Sequence, residues 1–550
     1  MTTRQLRWWF AGMLFLAAGL RFYQLAAADV ITDEALIGFR SLGYIDYFAS
    51  PYQTSPWEWF SVMPWWAQLS FHDHPPLIFL LQHVFLMVFG ENLIGLRLPF
   101  VLAGIGSVGL LYFIGKKMFS SSVGLLASLF LAVSCYHVWI SRIGLQESIV
   151  IFLVLLTLYL FLLALDTNRH WQWGISLGLA LLAKYTAVIL LPIFLLYFLF
   201  FKRRIFKTRQ FWFAIVLAVA IFSPVIIYNF NLFLARGHFD LQFAYLFGQS
   251  VAAWQFLPGK IQAGSMFGRL INLIPAIFAG LLLPIFVVFL ISLILVVKKF
   301  KTNCFNQPLF LLILAIFFTI ISLIIFGPSP RFVTVLVPFV SLLVAWFIVN
   351  QKKIIKILVV IILVGSELFF TINSLFLLKP IGWINLTYSA VRVDSQRWGY
   401  SQLNNYIENI LVNKTPTVSF TARYNFLEQI KNQALQADKV LNKQPVSILL
   451  IYDNNMYDLA TLWLFHRQLV YHGWPVVTAD VFLEQGASFW QQQGIENYYF
   501  FKVIDQEILL RPVAEQTGAA QQLANQPIKH QSEIINRPDG RATFAVYNWQ

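Results

Sequence analysis

The sequence of 550 residues contains few charged residues and only two cysteines. Charged side chains make up 12% of it, against roughly 25% in an ordinary soluble domain. Cys135 lies in an apolar run and Cys304 in a basic loop, so no disulfide framework holds the chain together. With 58% hydrophobic residues and a mean hydropathy of +0.68, the composition excludes an ordinary soluble protein and indicates an integral membrane protein.

The apolar residues form repeated long runs between residues 8 and 378. A helix rises 1.5 Å per residue, so about 20 apolar residues cross a hydrocarbon core of about 30 Å. The first run, 8–28, follows Arg4 and Arg7, but it is long and lacks a convincing small-residue cleavage site before Asp33. We therefore interpret it as a retained helix and not as a signal peptide. The pattern predicts a polytopic α-helical membrane protein.

The net charge of +14 comes from short basic clusters between the apolar runs. Such clusters are typical of cytoplasmic loops, and they argue against nucleic acid as a partner. A cytoplasmic position for every cluster places the N-terminus in the cytoplasm. It also predicts eleven transmembrane helices, at residues 8–28, 97–115, 122–140, 147–165, 171–183, 186–201, 211–228, 270–297, 308–326, 332–349 and 354–378.

The predicted transmembrane domain, 1–379, includes two outer loops, 29–96 and 229–268. The apolar run 75–89 within the first loop is short for a span, so we predict a juxtamembrane helix in the membrane interface. Residues 380–550 are polar and mixed in composition, which predicts an extracytoplasmic α/β domain. Its strand-like runs are 417–420, 446–452, 476–481 and 498–503, and its clearest helical run is 457–471.

Three acidic residues of the outer face, Asp33, Glu34 and Glu147, are candidate catalytic residues. Acidic residues beside apolar helices are either solvated loop residues or partnered functional groups. For Asp33 the structural alternative is a helix N-cap. For Glu147 it is an ordinary ion pair with Arg142 across the short loop after the third helix.

Three cations are predicted on the same outer face: Arg142, Lys184 and Arg331. Lys184 interrupts an apolar run between two short helices, and an intramembrane ionisable residue is a functional hypothesis by default. The acids offer a base for a hydroxyl group, and the cations offer positive charge for an anionic leaving group. A phosphate-linked substrate needs that combination.

The segment His72-Asp73-His74 precedes Pro75-Pro76, where the juxtamembrane helix begins. His72 and His74 could share a divalent cation with Asp33 or Asp73. A third fixed ligand is missing from this pattern, so hydrogen bonds that support the loop or an acceptor are the favoured interpretation. A divalent cation is the one candidate cofactor.

Five short motifs occur in an order that resembles the GT-C glycosyltransferases of the protein O-mannosyltransferase and lipid A aminoarabinose transferase group, families 39 and 83. The motifs span roughly residues 1–345. They are Asp33-Glu34, the His-Pro-Pro-Leu of 74–77, the Arg-Leu-Pro of 97–99, the Leu-Ala-Lys-Tyr of 182–185, and Arg331-Phe332 followed by Pro338. The chain departs from the group at Gln146-Glu147, where relatives often carry aspartate.

The resemblance implies a polyprenyl-phosphate sugar as donor and a hydroxyl of a protein, lipid or glycan as acceptor, with membrane lipids around the site. It implies Asp33 as the general base of an inverting displacement, oriented together with the acceptor by Glu34. Lys184, Arg142 or Arg331 would stabilise the lipid phosphate. The site and the C-terminal domain would face outward from the cell membrane.

Two functions of other classes are alternatives. A transporter or flippase for a lipid phosphate or other anion would use the same charges, but it predicts broken helices and inverted repeats, and the sequence shows neither. A membrane-anchored sensor would work through the outer α/β domain, and eleven spans exceed what an anchor needs. The sequence contains no Walker loop and no GxGxxG motif.

Overall fold

The computed structural model describes residues 2–45, 64–65, 68–69, 73–167, 169–249, 265–301, 306–422, 425–508, 517–526 and 531–550. The chain divides into two compact units. The helical unit includes Met1–Leu25 and Leu69–Arg392, and the α/β unit includes Ala26–Ile45 and Val393–Gln550. The second unit therefore contains part of the predicted first outer loop as well as the C-terminal region.

Helices follow one another through the first 375 residues. The α-helices there are α1 (Thr3–Phe22), α2 (Thr32–Gly43), α3 (Leu77–Phe89), α4 (Leu93–Met118), α5 (Ser121–Val133), α6 (Cys135–Arg142), α7 (Glu147–Thr167), α8 (His170–Ala183), α9 (Leu190–Phe201), α10 (Arg209–Arg236), α11 (Leu241–Leu246), α12 (Met266–Leu281), α13 (Leu283–Lys301), α14 (Gln307–Phe326), α15 (Pro330–Val333), α16 (Val337–Val349) and α17 (Lys353–Leu375). Short 3₁₀ segments cover Tyr185–Ile189 and Arg203–Lys207.

Among the described residues, five helices are long and apolar enough to cross a membrane: α4, α7, α10, α14 and α17. The bent pairs α5–α6 and α12–α13 raise the number to seven if each pair is one span. Shorter apolar helices cover Leu77–Phe89, Tyr185–Phe201 and Val337–Val349. The polytopic helical fold class is confirmed, and the count of eleven crossings stays a prediction.

Three predicted continuous spans, 122–140, 270–297 and 332–349, are broken in the structure. The first bends by 60° at Ser134 and the second by 117° at Leu282, where the backbone φ angle is +54°. A break leaves backbone groups without helical partners, and those groups must be satisfied inside a membrane. At the first break, Glu367 accepts a hydrogen bond from the Cys135 amide at 3.2 Å, and Thr371 donates one to the Val133 carbonyl at 2.8 Å.

The helix before the second predicted outer loop is longer than the predicted span 211–228. Helix α10 continues through Asn229 to Arg236, where Gly237 ends it in the left-handed conformation. The polar residue Asn229, predicted to begin the loop, therefore lies inside a helix, and the bounds of the outer loop stay a prediction. Its side chain is buried and hydrogen-bonds Asp240 beyond the helix end.

The helices of the α/β unit are short apart from α2 and two that follow Gly399 and residue 424. They are α2, described above, α18 (Arg392–Ser395, which crosses the boundary between the units), α19 (Tyr400–Leu411), α20 (Asn425–Val440), α21 (Asp458–Thr461), α22 (Arg467–His472), α23 (Ala479–Gln485), α24 (Ala487–Gln492) and α25 (Ala519–Ala524). A π-helical turn, Leu462–His466, joins α21 to α22, and a 3₁₀ turn covers Gln506–Ile508. The predicted helical run 457–471 is confirmed.

A five-stranded sheet forms the centre of the α/β unit. The strands are β1 (Lys414–Pro416), β2 (Gln444–Val446), β3 (Ile448–Tyr452), β4 (Val476–Thr478), β5 (Asn497–Val503), β6 (Gln531–Asn536) and β7 (Ala542–Trp549). The sheet order is β4-β3-β5-β7-β6, and β1 pairs separately with β2. Strands β4, β3 and β5 run parallel, whereas β7 is antiparallel to both β5 and β6.

Both faces of the sheet are covered by apolar side chains. Alternate residues of a strand point to opposite faces. Accordingly Ile448 and Leu450 of β3 pack in one buried cluster, while Leu449 and Ile451 pack in another. The predicted strands at 446–452, 476–481 and 498–503 are confirmed in part or in full, whereas 417–420 is wrong because the short strand there ends at Pro416.

Candidate active site

A cluster of one acid and two cations lies at helix ends within the helical unit. Glu147 is the first residue of α7, Lys184 follows the last residue of α8, and Arg331 lies in the short helix α15. Helices α7 and α8 are joined by a very short connection, so they run antiparallel and the start of one lies beside the end of the other. Lys184 itself has an extended backbone that ends α8 and begins the 3₁₀ turn.

Both cations contact the same oxygen of Glu147. Lys184 Nζ lies 2.7 Å from Glu147 Oε1, and Arg331 Nε lies 3.0 Å from it. The Glu147 side chain is 2% exposed, against 13% for Lys184 and 23% for Arg331. A buried charge requires a partner. Here one carboxylate serves two cations, so the three side chains together carry one net positive charge.

The cations lie at the more exposed side of this cluster, and an aromatic ring supports one of them. Lys184 Nζ lies 5.4 Å from the centroid of the Phe332 ring, within the range of a cation–π contact. Phe332 follows Arg331 directly, so one short helix supplies both a second cation and a ring for the first. The geometry presents positive charge at the helix ends while it buries the negative charge.

Next to Lys184, Tyr185 begins a buried hydrogen-bond network around Asp240. Tyr185 donates to Asp240 Oδ2 at 2.7 Å, and the Asn229 amide donates to the same oxygen at 3.0 Å. The other oxygen, Oδ1, accepts the amides of Gln242 and Phe243 and so caps α11. Burial raises the pKa of Asp240, and these hydrogen bonds oppose the rise. The sequence analysis missed this residue.

The predicted loop residues Asp73 and His74 connect to the same network. His74 Nδ1 lies 3.0 Å from Asp73 Oδ2, and Gln242 donates its side-chain amide to the Asp73 carbonyl at 3.1 Å. His72 lies outside the described residues. Within the described part of the chain, no group of three or more His, Cys, Asp or Glu residues could hold a metal ion.

The predicted phosphate ligand Arg142 has a different set of partners. Its guanidinium donates to the carbonyls at the end of α1, at 3.0 Å to Leu20, 2.6 Å to Tyr23 and 3.1 Å to Gln24. It also lies 4.7 Å from the centroid of the Phe376 ring. The last carbonyls of a helix have no partner within the helix. Arg142 therefore completes the end of α1, while Glu147 pairs with Lys184 and Arg331.

The predicted catalytic pair Asp33-Glu34 belongs to the α/β unit. Both residues lie in the first turn of α2, where Asp33 is half-buried and Glu34 is buried. Burial raises the pKa of the nearby Tyr457 to about 12, and the negative charge of Asp33 adds to this rise. Thr32, at the start of α2, has a φ angle of +56°. This left-handed backbone is strained for a β-branched residue.

Comparison with known proteins gives a family match for the segment that carries Glu147 and Lys184. Residues 73–228 match the family of dolichyl-phosphate-mannose-protein mannosyltransferases. YycA of Bacillus subtilis (strain 168), which is provisionally named a mannosyltransferase, is 31% identical over 142 residues, 25% of this chain and 21% of YycA. YkcB of the same strain, named likewise, is 26% identical over 168 residues, 28% of this chain and 23% of YkcB. The matched part thus spans about a fifth of each relative.

The whole fold is similar to a solved enzyme structure. The crystal structure of ArnT from Cupriavidus metallidurans bound to undecaprenyl phosphate matches with a TM-score of 0.55 and 12% identity, over 99% of this chain and 98% of ArnT. The chain therefore has the fold of GT-C glycosyltransferases. The resemblance and the fold class predicted from the motifs are confirmed, and the matches agree with the predicted enzyme class, glycosyltransferase. The chain is a multi-pass membrane protein.

Proposed function

We propose that the protein transfers a sugar from a polyprenyl-phosphate donor to an acceptor hydroxyl at the outer side of the cell membrane. The observation that carries this proposal is the pair of cations, Lys184 and Arg331, held on one buried carboxylate at the helix ends. Two further facts support it: residues 73–228 match a family that uses a dolichyl-phosphate sugar, and ArnT was crystallised with undecaprenyl phosphate.

In this proposal Lys184 and Arg331 bind the donor phosphate. When the bond between the anomeric carbon and the phosphate oxygen breaks, its electron pair goes to the phosphate, which gains negative charge. Fixed positive groups that face this developing charge lower the barrier. The net positive charge of the cluster suits such an anion. Arg142, whose donors bind the end of α1, supports the helix and does not bind the phosphate.

Glu147 then positions the two cations and does not act as a base. Its Oε1 already contacts the ammonium of Lys184 and the guanidinium of Arg331, so this oxygen is not available to an acceptor hydroxyl. Glu147 Oε2 and both polar atoms of the neighbouring Gln146 side chain are buried without a hydrogen-bond partner among the described residues. Buried polar groups are normally paired. They are candidates to bind hydroxyls of the donor sugar.

Asp33 is the proposed general base, on the strength of its motif. It takes the proton of the acceptor hydroxyl while the acceptor oxygen attacks the anomeric carbon and the phosphate departs from the opposite side. This one-step displacement inverts the anomeric centre. Glu34, buried beside it, orients Asp33 or the acceptor. The phosphate leaves as an anion, so the mechanism needs no acid partner of the glycosidase kind.

The acceptor remains one of three classes: a protein, a lipid or a glycan. A polyprenyl-phosphate donor is confined to the bilayer, and the predicted topology places the site at the outer surface. His74 and Asp73, joined through Gln242 to the network around Asp240, are proposed to support the loop that borders the acceptor.

The transporter alternative requires a separate test, because the structure does contain the broken helices that the sequence did not show. The decisive experiment supplies purified protein in detergent with a radiolabelled polyprenyl-phosphate sugar and no nucleotide sugar. Appearance of free polyprenyl phosphate and of labelled acceptor supports a transferase. If a broad panel of donors is not consumed while reconstituted protein moves the lipid between leaflets, the transporter replaces it.

A further inference from the structure

An aspartate of the first loop caps a helix of the C-terminal region. Helix α19 begins after Gly399, which has a φ angle of +101° and no side chain with which to cap the helix. The first amides of a helix have no partner within it and normally bond to a capping oxygen. Asp29 supplies both oxygens: Oδ2 accepts the Trp398 amide at 2.6 Å and the Tyr400 amide at 3.3 Å, and Oδ1 accepts the Ser401 amide at 2.8 Å.

This contact is internal to the α/β unit and fully buried. Asp29 has no exposed surface, and it lies 371 residues from Tyr400 in the sequence. A buried carboxylate is tolerated only when hydrogen bonds compensate for its desolvation. The positive end of a helix adds a favourable electrostatic contribution. The chain at Asp29 is therefore fixed to the N-terminus of α19, four residues before Asp33.

A tyrosine fixes the other end of the same segment. The Tyr471 hydroxyl donates to the Phe39 carbonyl at 2.7 Å and accepts the Gly43 amide at 3.3 Å. The rings of Tyr471 and Phe39 lie 5.5 Å apart, edge to face. Ile31 packs in the same buried cluster as Tyr400. The α/β unit thus holds the chain just before α2, through Asp29 and Ile31, and the C-terminal half of α2, through Tyr471.

The backbone between these attachments is strained. Thr32 has a φ angle of +56°, a conformation that costs a β-branched residue free energy. Such a conformation persists only where the surroundings determine it, and it often marks a functional site. Here it is the first residue of α2, three residues after the capping residue Asp29 and directly before Asp33.

We propose that Asp29 and Tyr471 are positioning residues, through which the α/β unit sets the place and direction of Asp33 and Glu34 within that unit. The α/β unit then both contains the proposed base and holds it in position. This inference rests on the proposed function in so far as Asp33 is the base.

The test compares two variants with two matched controls in the full-length protein. Asp29→Asn removes a capping carboxylate, and Tyr471→Phe removes a buried hydroxyl. Asp453→Asn removes another buried carboxylate of the same unit, which accepts the amides of Asn455 and Val503. Tyr498→Phe removes a hydroxyl that bonds the Ile495 carbonyl. The controls remove similar hydrogen bonds, but neither residue belongs to the segment 29–43, and the bonds removed do not attach that segment to the rest of the unit.

Two measurements are made on all four variants. Hydrogen exchange of the amides at 33–43 should speed up in Asp29→Asn and Tyr471→Phe only. The kcat for transfer should fall in those two by about 10- to 100-fold with the donor KM unchanged, because a base displaced by about 1 Å costs that much. Both controls should keep the exchange protection of α2 and the kcat of the wild type.

Three outcomes overturn the inference: unchanged protection of α2 in both variants, equal loss of protection in variants and controls, or lost protection with unchanged kcat. Transfer that is absent from the wild type with every donor contradicts the proposed function instead. In that case the exchange comparison still decides whether Asp29 and Tyr471 hold α2, because it needs no turnover.

Discussion

Lys184 Nζ lies 2.7 Å from Glu147 Oε1, although 37 positions of sequence separate the two residues. The pair joins the start of α7 to the end of α8, at the point where each helix leaves its apolar run. A lysine at this position either stabilises the packing of the two helices or binds an anionic ligand. The second cation on the same oxygen, Arg331, favours binding, because one carboxylate needs only one cation for neutrality.

Replacement of Lys184 by methionine should lower kcat for sugar transfer by about 10²- to 10³-fold. The reason is that removal of one fixed group facing a developing negative charge has an effect of this size. Initial rates with a radiolabelled polyprenyl-phosphate sugar measure it. The control is Lys117→Met, which removes the exposed ion pair with Asp166 in the same unit and should leave the rate unchanged. A Lys184→Met enzyme with wild-type kcat would remove Lys184 from the phosphate site.

Replacement of Asp33 by asparagine should abolish transfer while binding of polyprenyl phosphate persists. Asparagine keeps the shape of the side chain but cannot take a proton from the acceptor. The measurement pairs a turnover assay with binding of the lipid phosphate alone. Asp458→Asn, which also removes a negative charge near Tyr457, is the matched control and should retain transfer. Full activity of Asp33→Asn would exclude Asp33 as the base.

The main features of the helical unit were predictable because long apolar runs determine its helices locally. The breaks were not, since Ser134 carries no helix-breaking signal and its neighbour Cys135 bonds to Glu367, 232 positions away. The candidate site residues Glu147, Lys184 and Arg331 stood out as charges at the ends of apolar runs. Their arrangement around one oxygen depends on tertiary packing, as does the use of Arg142 at the end of α1.

Contacts between distant residues also determine the structure of the first loop, and the sequence does not predict them. The motif Asp33-Glu34 is visible in the sequence. Its place in the α/β unit, however, depends on the hydrogen bonds by which Asp29 caps α19, and Asp29 and Tyr400 are 371 positions apart in the sequence. Strands β6 and β7 were also missed. Strand β6 lies at the edge of the sheet and is partly polar, so its alternation is weak.

Replacement of Glu147 by glutamine should destabilise the helical unit by about 3–5 kcal/mol, because it leaves two cations without their buried counter-charge. Thermal unfolding in detergent measures the loss. In the double variant Glu147→Gln/Lys184→Met, one of those cations is gone, so we expect part of the stability to return. The double-mutant cycle then gives a coupling energy for the pair. Strictly additive losses would contradict the assignment of Glu147 as the residue that holds Lys184.

The α/β unit should lose stability as the pH falls from about 6.5 towards 4, because of His466. Burial lowers the pKa of His466 from 6.5 to about 4, and the charge of Asp458 opposes this only in part. Below pH 6.5 the unfolded chain binds a proton that the folded unit does not, so acid favours unfolding; the stability is fully present above 6.5 and is lost through this window. Each pH unit costs about 1.4 kcal/mol, or about 3 kcal/mol in all.

The histidine's share of this pH dependence is measured by comparison with His466→Phe, which keeps an aromatic ring beside Tyr452 but cannot be protonated. Hydrogen exchange of strands β3 and β5 at pH 7.0, 6.0 and 5.0 reports the stability of the unit in the full-length protein. Buried carboxylates such as Asp29 and Asp453 titrate in both proteins, so their contributions cancel in the difference. The wild type should lose stability relative to His466→Phe as the pH falls, and parallel pH profiles would show that His466 is protonated in the folded unit.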